Sequence, residues 1–142
     1  MKIAIASDHA GFEYKEAIRA HLAELGHEVK DFGAFNAERS DYPEFIRPAA
    51  QAVAAGEFER AIILGGSGNG EAIVANRIPG IRCTLAWDVR SARYGRSHND
   101  SNCLSLGERM MAMSEALELV DIWLTTEFEG GRHAERLAMI DA

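Results

Sequence analysis

The segment "GGSGNGE", residues 65–71, removes the side chain at Gly65, Gly66, Gly68 and Gly70 and then places one carboxylate, Glu71. It follows the apolar run "RAIIL" and leads into the helix-like "EAIVANR". Glycine serves where the backbone must take positive φ or approach a ligand closely, and free N–H groups at a helix start make an anion site. The lysine of a GxxxxGK[ST] phosphate loop is absent, and Glu71 breaks a GxGxxG dinucleotide pattern. A carboxylate beside amide donors suits abstraction of a proton α to a carbonyl, which needs a base for carbon and an electrostatic sink for the enediolate. Taken alone, the same residues also fit tight packing and a glutamate that stabilises a helix dipole.

Other segments carry polar residues with chemical potential. They are "SDHAG" (7–11) with Asp8 and His9, "RSHNDSN" (96–102) with His98 and Asn99, "GERM" (107–110) with Arg109, and "GGRHAER" (130–136) with Arg132 and Arg136. The last two stand at i, i+4, so on a helix they share a face and could grip one phosphate with paired donors. Singly, these histidines read as hydrogen-bonded loop residues and these arginines as solvated surface groups. Tyr42, before Pro43, reads as packing or as a pocket wall. His21, His27 and His133 read as structural or surface residues, and Trp87 and Trp123 as core or interface. Arg77, Arg82, Arg90, Arg93 and Arg96 have no role that the sequence supports.

The elements that would position these residues alternate in period. "KIAIAS" (2–7), "HEVKDF" (27–32), "RAIILG" (60–65), "RCTLAW" (82–87) and "NCLSLG" (102–107) are short strand-like runs bounded by Gly, Asp or Asn. Between them lie helical patterns in "FEYKEAIRAHLAELG", "PEFIRPAAQAVAAGE", "EAIVANRIPG" and "VRSARYGRS", with "AMSEALELVDIWL" after the last strand. Nearly all-apolar strands alternating with helices predict an α/β fold: a three-layer αβα sandwich with a mainly parallel, five-stranded, Rossmann-like sheet. No linker or repeat divides residues 1–142, so one domain is expected. In such sheets ligands bind beyond the carboxyl ends of the strands, which is where the Asp8, Glu71 and Arg109 segments fall.

Composition narrows the classes. With 47% hydrophobic and 26% charged residues the chain reads as globular, and no apolar run approaches the roughly 18 residues of a bilayer span. The N-terminal apolar run is too short for a signal-peptide core, so a cytoplasmic protein is expected. A net charge of -7 without any Lys/Arg run argues against nucleic acid as partner. The two cysteines, Cys83 and Cys103, lack metal-site spacing and read as core thiols.

The chain resembles the ribose 5-phosphate isomerase B and galactose 6-phosphate isomerase family over nearly its whole length. The matching pieces are "SDHAGFEYKE", "DYP" (41–43), "GGSGNGEAIVANRIPGIR" (65–82), "HNDSN" (98–102), "LGERM" (106–110) and "EGGRHAER" (129–136). The resemblance implies that Asp8 and His9 contact the sugar phosphate, that His98 opens the furanose ring and that Asn99 binds a hydroxyl. Arg109, Arg132 and Arg136 would hold the phosphate, and Ser67 with the amides of Gly68, Asn69 and Gly70 the enediolate, with Gly66 also lining the site. Many members carry a cysteine base where this chain has Gly65; another branch resembles this sequence, and there the base is the glutamate, here Glu71. The family's sites are built between subunits, which implies a homodimer or a dimer of dimers, with the C-terminal helix on a partner. Proton transfer needs no cofactor and no metal. Ribose 5-phosphate is the expected substrate; erythrulose 4-phosphate, galactose 6-phosphate, or a non-catalytic phosphate- or nucleotide-binding role are the alternatives.

Overall fold

The computed structural model describes all 142 residues, Met1–Ala142. Five strands, β1 (Lys2–Ser7), β2 (Glu28–Asp31), β3 (Arg60–Gly65), β4 (Cys83–Leu85) and β5 (Cys103–Gly107), form one sheet in the order β2-β1-β3-β5-β4. Every neighbouring pair is parallel. Six helices pack around it: α1 (Phe12–Glu24), α2 (Tyr42–Ala54), α3 (Asn69–Asn76), α4 (Val89–Ser97), α5 (Met113–Thr125) and α6 (Arg132–Ile140).

The period-2 alternation of the strands divides the core in two. Ile3, Ile5, Ile62, Leu64, Leu104 and Leu106 face one way, onto Ile18 and Leu22 of α1, Ala92 of α4, and Leu119 and Trp123 of α5. Ala4, Ala6, Ala61, Ile63 and Cys103 face the other way, onto Ile46, Ala49 and Val53 of α2 and Ala75 of α3. This is the expected αβα sandwich. Two strands depart from the all-apolar reading because each has a neighbour on only one side. Strand β2 alternates exposed Glu28 and Lys30 with half-buried Val29 and Asp31. Strand β4 shrinks to three half-buried residues and sets Cys83 directly opposite Cys103 on β5. The thiols are both free, Cys103 buried and Cys83 half-buried.

From β1 the chain moves outward to β2, whereas after β3 it continues on the other side to β4 and β5. The direction reverses between β1 and β3, so the segments leaving them, 8–11 and 66–71, diverge and leave a crevice at their carboxyl ends. One charged residue fixes the edge of this frame. Lys15 on α1 is fully buried, its Nζ 2.7 Å from Asp31 Oδ2 and 3.1 Å from Glu16 Oε1, and it lies 5.2 Å from the centre of the Phe12 ring. A buried ammonium survives only with such partners. Lys15→Ala, which deletes one partner and leaves a cavity, is expected to lower unfolding free energy by about 3 kcal/mol in urea titration, with Lys15→Met costing less; equal stability of Lys15→Ala and wild type would contradict this.

Candidate active site

The crevice between β1 and β3 is a cavity of about 370 Å³. Asp8, which follows β1, is buried; its Oδ1 accepts hydrogen bonds from the N–H groups of Ala10 (2.9 Å) and Gly11 (3.2 Å), capping the tight turn that leads into α1. His9 follows on that turn. Its N–H donates to Ser40 Oγ (3.1 Å), and its Nδ1 lies 3.2 Å from both the backbone nitrogen and the carbonyl oxygen of Ser40. With Nδ1 engaged, Nε2 is left for the cavity.

On the other side, β3 ends at Gly65 and the chain turns through Gly68, whose φ of 83° is left-handed. A side chain at Gly68 would run into Leu85 and the backbone of Leu106, and Ser105 Oγ donates to its carbonyl at 2.7 Å. Gly68 is thus the pivot that lays α3 on the sheet rather than a cavity residue. Asn69 also points elsewhere, and its N–H donates to Ser67 Oγ at 3.2 Å. Gly66, Ser67, Gly70 and Glu71 line the cavity. The N–H groups of Gly66, Ser67 and Gly70 have no acceptor within the protein.

Glu71 is buried, with 4% of its surface exposed. Its carboxylate occupies the space that a Cβ on Gly65 would need. Burial raises its pKa; its own backbone N–H opposes this and the nearby charge of Asp8 adds to it. Where the helix start and desolvation compete, desolvation dominates, as a base for a carbon acid requires.

Arg109 enters from the turn after β5. Its N–H donates to the Gly66 carbonyl (3.0 Å), and its guanidinium lies over the bare face of Gly66. The turn is tied to α1 twice: Tyr14 N–H donates to Glu108 Oε1 and Tyr14 Oη to the Met111 carbonyl, both at 2.8 Å. Burial raises the pKa of Glu108. Tyr42 and Met110 complete the wall.

The remaining residues singled out from the sequence form a second group outside this cavity. His98 caps the end of α4, its ring stacked between Tyr94 (centroids 4.7 Å apart) and His133 (4.3 Å). Glu129 places one carboxylate oxygen 3.8 Å from His98 Nε2 and the other 3.7 Å from His133 Nε2. His133 is buried, so desolvation lowers its pKa, helped by the charges of His98 and Arg132. Arg132 and Arg136 stand exposed on α6, one turn apart, and neither forms an ion pair.

Sequence reading missed what holds this group. Arg82 donates to the carbonyls of Asn99 (2.9 Å) and Asp100 (3.1 Å), Arg96 to Asp100 Oδ1 (2.8 Å) and the Ser101 carbonyl (2.7 Å), and Trp123 Nε1 to Ser101 Oγ (2.8 Å). Arg82 and Trp123 lie 17 to 22 residues from their partners, too far for a motif, while Arg96 and Asp100 stand at i, i+4. His98, Glu129 and His133 also gather potential metal-ligand atoms within 4.8 Å of one another, a cluster not visible as spacing. The 10° angle between the stacked imidazoles sets their in-plane lone pairs side by side, whereas a tetrahedral ion needs them to converge.

With this geometry in view, likeness to known proteins is informative. The model of the family described as Ribose/Galactose Isomerase matches residues 3–140. The chain belongs to that family. Ribose-5-phosphate isomerase B of Mycolicibacterium paratuberculosis is 44% identical over 142 residues, covering 99% of this chain and 89% of that protein. The enzyme of the same name from Escherichia coli is 44% identical over 141 residues, covering 99% and 95%. Among solved structures, ribose-5-phosphate isomerase B of Clostridium thermocellum superposes with a TM-score of 0.98 at 47% identity, covering 99% of this chain and 95% of that one. Membership of an isomerase family accords with a buried, basic carboxylate facing unpartnered amides.

The raised pKa of Glu71 has a thermodynamic consequence. The folded chain holds this proton more tightly than the unfolded chain, so stability falls as pH rises from the ordinary glutamate range through the folded pKa. Glu71→Gln lacks that loss. It is expected to exceed wild type in stability at pH 8, with the gap closing toward about pH 4, where the unfolded glutamate is itself protonated. Denaturant titrations across pH test this; a gap independent of pH would assign the effect to shape rather than charge.

Proposed function

We propose that this chain interconverts D-ribose 5-phosphate and D-ribulose 5-phosphate through a cis-enediolate, with Glu71 as the base. The observation that carries the reading is the buried Glu71 carboxylate beside the unpartnered N–H groups of Gly66, Ser67 and Gly70. Glu71 removes the C2 proton; the C–H electron pair forms the C1=C2 bond and the carbonyl pair moves onto O1. The loop amides and the Ser67 hydroxyl hold the negative oxygen, O1; Glu71 then returns the proton to C1 while the O2 proton passes to O1, so that the C1=C2 bond becomes the C2 carbonyl and O1 becomes a hydroxyl. Gly68 and Asn69 serve by shaping the loop. The proton shuttles on one carboxylate, so the step calls for no redox cofactor and no metal.

His98 opens the furanose ring, Asn99 binds a sugar hydroxyl, and Asp8 and His9 hold the sugar phosphate near Arg109. Arg132 and Arg136 supply the remaining charge for the phosphate. In one chain the two groups stand apart, and a separate groove lined by Leu85, Tyr94 and Asn99 reaches the second. Exposed Trp87, Tyr94 and Ile140 lie along it. A second copy related by a two-fold axis through this groove covers its apolar side chains and brings His98, Asn99, Arg132 and Arg136 of one subunit to the glycine loop of the other. The working unit is then a homodimer at least, a single isomerase domain per chain with α6 packed on its partner. No helix is long and apolar enough to cross a membrane, which accords with work on soluble sugar phosphates in the cytoplasm.

Wild-type protein in EDTA is expected to form ketose from D-ribose 5-phosphate, and Glu71→Gln to lose at least about 10³-fold in kcat while still binding phosphate. No turnover by wild type would overturn the reading; a Glu71→Gln enzyme with unchanged kcat would remove the base assignment. Subunit mixing tests the shared site. Inactive Glu71→Gln and inactive His98→Ala, denatured together and refolded, are expected to regain activity because mixed dimers hold one intact site; absence of regain with dimers formed would place each site within one chain.

A further inference from the structure

We propose that Tyr42 contacts the substrate directly, its phenol supplying a hydrogen-bond donor at the C1–C2 end of the sugar beside the glycine-loop amides. This rests on the isomerase reading above and adds a residue to it.

Tyr42 is the first residue of α2, and the segment before it is already part of the site's frame. Ser40, two residues earlier, accepts from the His9 N–H and engages His9 Nδ1 through its backbone. The position of Tyr42 is therefore tied to the turn that carries His9. At its far end the phenol ring meets the glycine loop: a Cβ added to Gly70 would lie 2.6 Å from Cζ and 2.7 Å from Oη of Tyr42. Gly70 thus lacks a side chain because Tyr42 fills that space, and the hydroxyl is brought beside the residue that precedes Glu71.

The hydroxyl has no hydrogen-bond partner in the protein, although the residue is half-buried and lines the cavity with Asp8, His9, Ser67 and Glu71. The hydroxyl is open to the cavity, and a tyrosine hydroxyl free at a cavity wall is a donor available to what enters. Here the cavity itself is where an acceptor would arrive, and a sugar oxygen at C1 or C2 is the group the loop amides are placed to receive. Tyr42 makes no hydrogen bond to Glu71, which matters for the chemistry: a donor on that carboxylate would stabilise its charged form and weaken it as a base. A donor beside it, aimed at the developing oxyanion, acts only as charge appears in the transition state.

The test is Tyr42→Phe, which keeps the ring and deletes the donor. Turnover of D-ribose 5-phosphate, competitive inhibition by inorganic phosphate and melting temperature are measured for wild type and variant. The expected result is a loss of about 10²-fold in kcat, with phosphate inhibition and melting temperature unchanged, as for removal of one oxyanion donor. An unchanged kcat in the variant overturns the proposal. So does a loss accompanied by weaker phosphate inhibition and a lower melting temperature, which would mark Tyr42 as a packing residue. If wild type itself fails to turn over ribose 5-phosphate, the isomerase reading falls and this inference with it; an active wild type matched by an active variant sinks the inference alone.

Discussion

The site is organised around one steric fact: the Glu71 carboxylate lies where a side chain on residue 65 would have to be. Only glycine at the end of β3 lets the glutamate fold back from the first turn of α3 and bury itself against the sheet. That placement determines its chemistry, because burial takes the carboxylate out of water and raises its affinity for a proton. The same compactness constrains the rest of the loop. Gly68 must turn with positive φ against Leu106, and Gly66 and Gly70 must stay bare because Arg109 and Tyr42 lie against them. The spaces at Gly65, Gly66 and Gly70 are taken by Glu71, Arg109 and Tyr42, and that at Gly68 by Leu85 and the backbone of Leu106.

Those segments are held in turn by contacts between elements distant in sequence. Tyr14 on α1 clamps the turn that carries Arg109 through a backbone donor and a hydroxyl. Ser40, ahead of α2, fixes His9. The parallel sheet makes these meetings possible, since its reversal of direction between β1 and β3 opens a crevice toward which the loops after β1, β3 and β5 are delivered. Arg82, Arg96 and Trp123 perform the same service for the His98–Asn99 loop, trading the solvation of their polar groups for carbonyl and hydroxyl partners.

The readability of the sequence followed the range of the interactions involved. β1 and β3 begin and end where the apolar runs do, and α4 spans all of "VRSARYGRS", because alternation and local punctuation decide these elements. β4 is shorter than its run, and β2 carries charge, because being at an edge is a property of the sheet order and not of the strand. Asp8, His9, Ser67, Glu71 and Arg109 were recognisable from their places after strands. Tyr42 was legible only as packing or a pocket wall, the i, i+4 pairs Arg96–Asp100 and Glu129–His133 gave no sign of what they support, and Arg82 was silent because its acceptors lie 17 and 18 residues away. The direction of the Glu71 shift was undecidable for the same reason, as burial depends on what packs against it.

The separation of the second group follows a logic of charge. A glutamate intended as a base for carbon loses basicity beside a cation, since unit charges about 4 Å apart interact by about 4 kcal/mol at an effective dielectric constant near 20. A guanidinium of Arg132 or Arg136 set beside Glu71 in the crevice of its own chain would lower the proton affinity of that carboxylate. Instead they stand exposed on α6 without any ion pair. In a shared site they would reach the crevice together with a phosphate dianion already between them, their charge satisfied by the ligand. The base would then meet a neutralised phosphate grip rather than bare guanidinium groups, and the desolvation that raises its pKa would persist through the reaction.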